Sequence, residues 1–207
     1  MNFRTFTQTF NEYLPLSVLQ IKLQQRDFDM QQLYLRERKG RLHSLIKGRR
    51  IHPKALQEIG IGAMIANNIY EPSYLSLQRA LRYYNLIPEG VSQYTSCTTK
   101  KTQTHNIPAG SFVYRSIAPR YYRWYNLYTI GRYSTIRIAS PEKTMCDYLY
   151  LHKDIESRED LEEMRINVFV WQEIASEELL LQYASKYPKT TQKRIQTFLS
   201  YIHNNDV

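Results

Sequence analysis

FDMQQLYLRERKGRLHSLIKGRRI, residues 28–51, is the stretch that decides the fold of the N-terminal part of the chain. Its first half has the features of a helix. Asp29 precedes the apolar residues Met30 and Leu33, and an aspartate in that position accepts a hydrogen bond from a free backbone N–H of the first turn. Gly40 follows a basic last turn and suits the left-handed residue that often ends a helix. The pattern predicts a helix over residues 30–39.

The second half of the stretch predicts a short hairpin with a basic tip. Apolar and polar residues alternate from Arg41 to Lys47, Gly48 interrupts them, and Arg49 to Ile51 resume the pattern. A helix that ends in Arg-Lys-Gly and leads into a basic hairpin is the outline of a winged helix-turn-helix. Such a helix would lie in a DNA major groove, and the hairpin would contact phosphate.

Two further helices are predicted before this stretch. Phe3, Phe6, Phe10 and Tyr13 recur at helical spacing, Pro15 interrupts the pattern, and Ser17 can cap a second helix. Three helices followed by a hairpin give the element order of a small winged-helix domain. We therefore expect a DNA-binding domain over residues 1–53 and a second domain over residues 54–207.

The DNA contacts expected from this domain fall into two groups. The first group lies on the helix and its end, where glutamine can read adenine through a pair of hydrogen bonds. Cations of the hairpin would hold phosphate, which adds affinity without sequence information. The DNA contacts expected from the helix and its end are Gln31, Gln32, Arg38, Lys39 and Arg41, and the phosphate contacts of the wing are Lys47, Arg49 and Arg50.

The charge of the chain agrees with a polyanionic partner. The 207 residues have a formal charge of +9 and a pI of about 9.5. Residues 1–55 contribute +7, residues 56–151 contribute +5, and residues 152–207 contribute −3. The positive end therefore coincides with the predicted DNA-binding domain.

Residues 54–207 are predicted to form a mixed α+β domain with short antiparallel strands and C-terminal helices. Lys54 to Asn68 suggests a connecting helix, and Ser76 is a candidate cap for the next one. Residues 91–138 are rich in Thr, Tyr, Val and Ile, with a turn at Pro108-Ala-Gly110. Helix starts are then expected at Ser140, Ser157, Ser176 and Thr190 or Thr191.

Several motifs in this region resemble the AbiEi family of antitoxins. They match in order and spacing from about residue 66 to residue 151, whereas the N-terminal domain matches more loosely. The motifs are Glu71-Pro-Ser-Tyr-Leu-Ser-Leu, Ala80-Leu, Tyr84-Asn-Leu-Ile-Pro-Glu89, Thr98-Thr-Lys-Lys101, Phe112-Val-Tyr-Arg115, Ala139-Ser-Pro-Glu-Lys143 and Asp147-Tyr-Leu-Tyr150.

The resemblance implies an antitoxin that also represses its own operon in phage defence by abortive infection. It implies binding of double-stranded operator DNA at inverted repeats upstream of that operon. It also implies that the C-terminal domain counters a companion nucleotidyltransferase toxin, and it leaves open whether the two proteins form a stable complex. The alternative is a protein- or RNA-interaction module without enzymatic activity and outside a toxin–antitoxin operon.

Residues 119–133 mix arginines with tyrosines and a tryptophan, and two interpretations stay open. Such a mixture could stack on bases and hold phosphates. The interpretation we favour is a layer whose rings pack against helices while arginine stems lie over them.

The sequence predicts no enzymatic activity, because phosphate-loop, nucleophile-elbow and zinc-protease motifs are missing. Glu142, Lys143 and Asp147 could meet on one helix as a structural ion pair. A divergent nuclease built on Glu142 or Asp147 is a third hypothesis. No pattern points to a cofactor or a metal, since Cys97 and Cys146 lie far apart. Without a signal peptide or a membrane-length apolar run, a cytoplasmic protein with reduced thiols is expected.

Overall fold

The computed structural model of the chain describes residues 15–24, 29–130 and 134–204. The helix predicted over residues 3–13 lies outside the described residues. The described part is a mixed α+β structure with a small sheet, a large sheet and a group of C-terminal helices. This agrees with the fold class expected from the sequence. No helix in these three ranges is both long and apolar enough to cross a membrane.

The small sheet and two helices form the N-terminal part as far as the structure describes it. In chain order the elements are β1 (Leu16–Ser17), α1 (Val18–Gln24), α2 (Met30–Arg38), β2 (His43–Ile46) and β3 (Arg49–Ile51). The strands are antiparallel in the order β1-β3-β2. The predicted helix and hairpin are therefore confirmed as elements.

Local chemistry explains where α2 begins and ends. The carboxylate of Asp29 accepts a hydrogen bond from the backbone N–H of Gln31 at 2.9 Å, as a cap does. Gly40 follows the helix with a φ of 64°, which glycine adopts without the steric cost that a side chain would bring. Both predicted helix boundaries are confirmed.

A small apolar core holds these elements together. It consists of Leu16 from β1, Ile21 from α1, Leu33 from α2 and Leu42 from the segment before β2, all of them buried. Burying a leucine or isoleucine side chain stabilises a fold by about 1.5–3 kcal/mol. Leu33 is thus the residue that fixes which face of α2 points inward.

The connection to the large sheet differs from the single helix expected over Lys54–Asn68. It consists of a 3₁₀ helix (Pro53–Gln57) and α3 (Ile61–Ile69). Gly60 separates the two with a φ of 78°, a left-handed conformation that interrupts a right-handed helix. The glycine therefore breaks what the apolar pattern alone predicts as one helix.

The large sheet has six strands in the order β6-β7-β5-β4-β9-β8. Their bounds are β4 (Ser73–Leu75), β5 (Tyr94–Thr98), β6 (Gln103–Ile107), β7 (Gly110–Ser116), β8 (Tyr125–Ile130) and β9 (Ser134–Ala139). The predicted turn at residues 108–110 joins β6 and β7, which are antiparallel. However, β4 runs parallel to β9 and β5 runs parallel to β7, so the sheet is mixed rather than antiparallel throughout.

Six more α-helices and a second 3₁₀ helix (Pro119–Tyr121) complete the described part of the fold. The α-helices are α4 (Leu77–Tyr83), α5 (Pro141–Leu151), α6 (Arg158–Glu163), α7 (Val168–Ile174), α8 (Glu177–Ala184) and α9 (Lys189–Asn204). The predicted caps at Ser140, Ser157 and Ser176 are confirmed, because each side chain accepts from a backbone N–H of its helix. Ser76 occupies the N-cap position of α4 as predicted, but its hydroxyl makes no capping hydrogen bond and donates to Asp147 instead.

The two faces of the large sheet carry different layers. Phe112 and Tyr114 of β7 lie on the face that packs against α3, and Leu45 and Ile51 of the hairpin share this core. Neighbouring residues of a strand point to opposite faces, so Val113 and Arg115 lie on the other face. On that second face, α4, α5 and the C-terminal helices build a larger core around Cys97, Met145 and Phe198.

Candidate nucleic-acid interface

Helix α2 presents one continuous stripe to solvent. Gln31, Tyr34, Leu35 and Arg38 are exposed and follow one another at intervals of three, one and three residues, which places them on one side of a helix with 3.6 residues per turn. Tyr34 is 56% exposed and Leu35 is 51% exposed. Because Leu33 faces the core, this stripe points away from the protein.

The other DNA contacts expected from the helix and its end flank the stripe. Gln32 is half-buried and its side-chain oxygen is enclosed without a hydrogen-bond partner among the described residues. Lys39 and Arg41 are exposed beyond the end of the helix. Arg36 is buried and donates to the carbonyl oxygen of Gln32 at 3.4 Å. Its burial lowers the pKa of the guanidinium, and the nearby charge of Arg41 adds to this effect.

The hairpin cations take three different positions. Lys47 is exposed in the turn between β2 and β3. Arg49 is half-buried and its guanidinium donates to Glu71 at 2.8 Å. Arg50 is buried, forms an ion pair with Glu37 and donates to the carbonyl oxygen of Arg49 at 3.0 Å. These placements differ from the expectation that all three cations point towards phosphate, because two of the guanidiniums are held by carboxylates of the protein.

Glu71 joins the hairpin to the large sheet. One carboxylate oxygen accepts from Arg49 of β3, and the other accepts from Arg137 of β9 at 3.2 Å. Arg137 also donates to the backbone carbonyl oxygen of Asn67 at 2.8 Å. Because Arg50 binds Glu37 of α2 at the same time, ion pairs connect the helix to the hairpin and the hairpin to the sheet.

The DNA contacts predicted from the sequence did not include Tyr34 and Leu35, although both lie on this surface. The spacing of residues in the sequence already indicated them, since both follow Gln31 at helical spacing and lie opposite Leu33. An aromatic ring and an isobutyl group at the centre of a polar stripe can contact the methyl group of thymine, while glutamine and arginine pair with base edges. The surface combines apolar contact, hydrogen-bonding groups and exposed cations.

A second group of expected residues is closed to solvent. The structure brings Glu142, Lys143 and Asp147 together on α5, and Lys143 and Asp147 are both 0% exposed. Glu142 accepts from the hydroxyl of Ser140 at 2.7 Å and from the backbone N–H of Ser176 at 2.8 Å. The carboxylate of Glu142 therefore fixes the start of α8, and the i,i+4 ion pair between Lys143 and Asp147 is confirmed.

Asp147 is the centre of a buried hydrogen-bond network. Its carboxylate accepts from the ammonium of Lys143, from Tyr74 at 2.8 Å, from Ser76 at 3.0 Å and from Tyr187 at 2.9 Å. Burial raises the pKa of Tyr74 well above its ordinary value, and the negative charge of Asp147 raises it further. Every polar group of the network is matched, and a substrate in solvent cannot reach it in this conformation.

The part of the chain that the structure describes contains no group of three or more His, Cys, Asp or Glu side chains that could hold a metal ion. Cys97 and Cys146 are both buried thiols, and burial raises the pKa of each.

The aromatic residues of segment 119–133 pack inward where they are described. Tyr121 stacks on Tyr187 with ring centroids 4.3 Å apart, and Trp124 stacks on Tyr183 at the same distance. The guanidiniums of Arg120 and Arg123 lie over Tyr121 and Trp124. This is the packed layer that the sequence favours over a base-stacking surface. Arg132 and Tyr133 lie outside the described residues.

Comparison with known proteins adds no family to this description. No protein-family model matches the chain, and no curated protein is significantly similar to it in sequence. The function is therefore inferred from the geometry of its surfaces and from the motifs in its sequence.

Proposed function

We propose that the chain is an antitoxin-like transcriptional regulator that binds operator DNA through α2 and the β2–β3 hairpin. The observation that carries the proposal is the outward stripe of Gln31, Tyr34, Leu35 and Arg38 beside exposed Lys39, Arg41 and Lys47. A single helix face with hydrogen-bonding and apolar groups suits a major groove, and cations at its end suit the adjacent phosphates.

The topology around the stripe supports a winged helix-turn-helix. A strand, two helices and a hairpin follow one another, and the first strand pairs with the second strand of the hairpin. In this arrangement the second helix is the recognition helix and the hairpin is the wing. Lys47 is then the principal phosphate contact of the wing, since Arg49 and Arg50 already hold carboxylates.

The motifs that resemble AbiEi antitoxins support the second half of the proposal. The chain would repress its own operon at inverted repeats and counter a companion nucleotidyltransferase toxin. The buried Asp147 network gives the Ala139-Ser-Pro-Glu-Lys143 motif a structural role, because Glu142 and Lys143 bind Ser176 and Tyr187 of later segments. Ser140 in turn donates to the carboxylate of Glu142. The motif would then stabilise the antitoxin domain and take no part in chemistry.

Fluorescence anisotropy with the chain's own upstream DNA and a scrambled duplex, at two salt concentrations, tests the proposal. We expect tighter binding to the native sequence that persists at the higher salt. Arg38→Gln should reduce the preference by about 1–3 kcal/mol, whereas Lys47→Gln should weaken binding to both duplexes and lower the salt slope by about one.

The matched control is Lys186→Gln, which removes an exposed positive charge between α8 and α9. It should leave both affinities unchanged. Equal binding of the wild type to both duplexes that disappears at the higher salt would contradict the proposal. That result would favour the interaction module, whose basic surface holds polyanions without reading sequence.

A further inference from the structure

A cleft opens on the face of the large sheet that lies opposite the hairpin. It has a volume of about 320 Å³, which is near the lower end of small-molecule sites at about 300–1,000 Å³. The start of α4, the loop before β5, strands β5 and β7 and the end of α5 meet there. Its walls include Leu77, Val91, Val113, Arg115 and His152. Since the hairpin packs on the other face, the cleft is separate from the proposed DNA surface.

The charge of the cleft is one-sided. Arg115 projects from β7, and among the described residues its guanidinium has neither a hydrogen bond nor an ion pair. None of the residues that line the cleft is an aspartate or a glutamate. A half-buried guanidinium without a counter-ion is suited to a carboxylate or phosphate, which it can bind with two parallel hydrogen bonds.

His152 adds a second nitrogen in a fixed orientation. Its Nδ1 lies 3.0 Å from the carbonyl oxygen of Tyr148, and the two rings stack with centroids 4.0 Å apart. Because a carbonyl oxygen only accepts, Nδ1 carries the proton of that hydrogen bond. Nε2 is thus the nitrogen available to a ligand, and among the described residues it has no partner of its own.

The floor and rim of the cleft are held in place before any ligand binds. Leu77 has a φ of 58°, a left-handed conformation that costs a residue with a side chain free energy. Thr95 fixes this turn, because its hydroxyl donates to the carbonyl oxygen of Ser76 at 2.7 Å and accepts from the N–H of Arg79 at 2.9 Å. Arg79 also donates to the carbonyl oxygen of Val91 at the rim, 3.1 Å away. Strain of this kind at a preformed cleft is typical of ligand sites.

We propose that this cleft binds a phosphomonoester attached to a small apolar or ring-shaped group, such as a mononucleotide. The phosphate would lie on Arg115, Nε2 of His152 would accept a hydrogen bond from a hydroxyl of the attached group, and the ring would rest on Val91 and Val113. The same chemistry is presented by a free mononucleotide and by the phosphorylated end of a nucleic acid. The volume of the cleft accommodates one such unit.

Isothermal titration calorimetry with adenosine monophosphate and adenosine tests the proposal. The wild type should bind the monophosphate in preference to the nucleoside. Arg115→Met should weaken binding at least tenfold, equivalent to about 1.4 kcal/mol. Val113→Phe should also weaken it by filling the cleft. The matched control is Arg120→Met, which removes an exposed guanidinium that lies over Tyr121, away from the cleft, and should leave affinity unchanged.

Thermal melts of both cleft variants establish that they are folded. A wild type that fails to bind adenosine monophosphate at millimolar concentration, or an undiminished affinity of folded Arg115→Met, overturns the proposal. A 5′-phosphorylated tetranucleotide distinguishes a free mononucleotide from the phosphorylated end of a nucleic acid as the natural ligand. If it binds tenfold tighter than the monophosphate, the cleft takes a nucleic-acid end, and equal affinity assigns it to the free nucleotide. Operator binding by Arg115→Met should equal that of the wild type, so the two proposals can fail separately.

Discussion

Replacing Asp147 with asparagine should destabilise the protein far more than a surface substitution of the same kind. The variant keeps the shape of the side chain but removes the only carboxylate that the buried ammonium of Lys143 contacts in the described residues. It also alters the acceptor of three hydroxyl donors. Breaking a buried ion pair by removing one partner costs about 3–5 kcal/mol.

The chain supplies a matched control with the same spacing. Arg158 and Glu162 form an i,i+4 ion pair on α6, but their side chains are 47% and 53% exposed. Exposed helix pairs contribute about 0.3–0.5 kcal/mol. Glu162→Gln should therefore cost roughly a tenth of the loss expected for Asp147→Asn, although both substitutions neutralise one carboxylate of an i,i+4 pair.

Urea unfolding followed by circular dichroism measures both free energies, provided that the m-values agree. For a chain of this size, the loss at Asp147 corresponds to a fall in Tm of about 6–20 °C, against about 1–2 °C for the control. The double variant Lys143→Met/Asp147→Leu removes both charges and should recover part of the stability lost in Asp147→Asn. Equal destabilisation by Asp147→Asn and Glu162→Gln would refute the inference that burial makes the first pair costly to break.

Three further outcomes are expected. The thiols of Cys97 and Cys146, whose pKa values are raised by burial, should react with monobromobimane only after unfolding, and a rapid native reaction would contradict their burial. Hydrogen bonds from the backbone N–H groups of Ser157 and Glu156 lower the pKa of Asp160 in the folded protein. The stability that the Asp160 carboxylate contributes should therefore be present above its unfolded pKa of about 3.9 and be lost as the pH falls through its lower folded pKa. An NMR titration that gives the carboxyl carbon of Asp160 an ordinary pKa would exclude this. Glu71→Gln should lower the free energy of unfolding by about 1 kcal/mol or less, but it should speed amide hydrogen exchange in the β2–β3 hairpin relative to β5. Unchanged exchange would show that the two ion pairs of Glu71 do not restrain the hairpin.

Features set by neighbouring residues could be predicted from the sequence. Asp29, Ser140, Ser157 and Ser176 each cap a helix within three residues of themselves, so composition and spacing suffice to find them. The glycine that ends α2 and the hairpin that follows belong to the same class. Caps and tight turns are decided by short-range sterics and hydrogen bonds, which a single sequence contains.

Features set by distant partners could not be predicted. Ser76 has the position of a cap, but its hydroxyl donates to a carboxylate 71 residues away, in a network that also requires Tyr74 and Tyr187. The parallel pairing of β5 with β7 is likewise invisible to period-two alternation, which does not encode strand direction. Arg50 looks like a hairpin cation until the fold places Glu37 beside it.

The candidate site, like the fold, could be predicted from the sequence only in part. The sequence identified the helix and two of the four side chains in its outward stripe, Gln31 and Arg38. It did not identify the cleft around Arg115, whose walls come from five separate segments. Such a cleft exists only after β5 and β7 have paired and α4 has packed on them.

The ion pairs of Glu71 and Glu37 have a mechanical consequence. Helix α2 is fastened to the hairpin, and the hairpin is fastened to strand β9 of the large sheet, so a rotation of the sheet turns the helix with it. If two copies bind an inverted repeat, the distance and angle between their α2 helices would be set by the contact between the two copies, because the hairpin allows little movement. An insertion of a few base pairs between the half-sites would then rotate one half-site out of reach. Two such copies would therefore bind only operators with one particular half-site spacing.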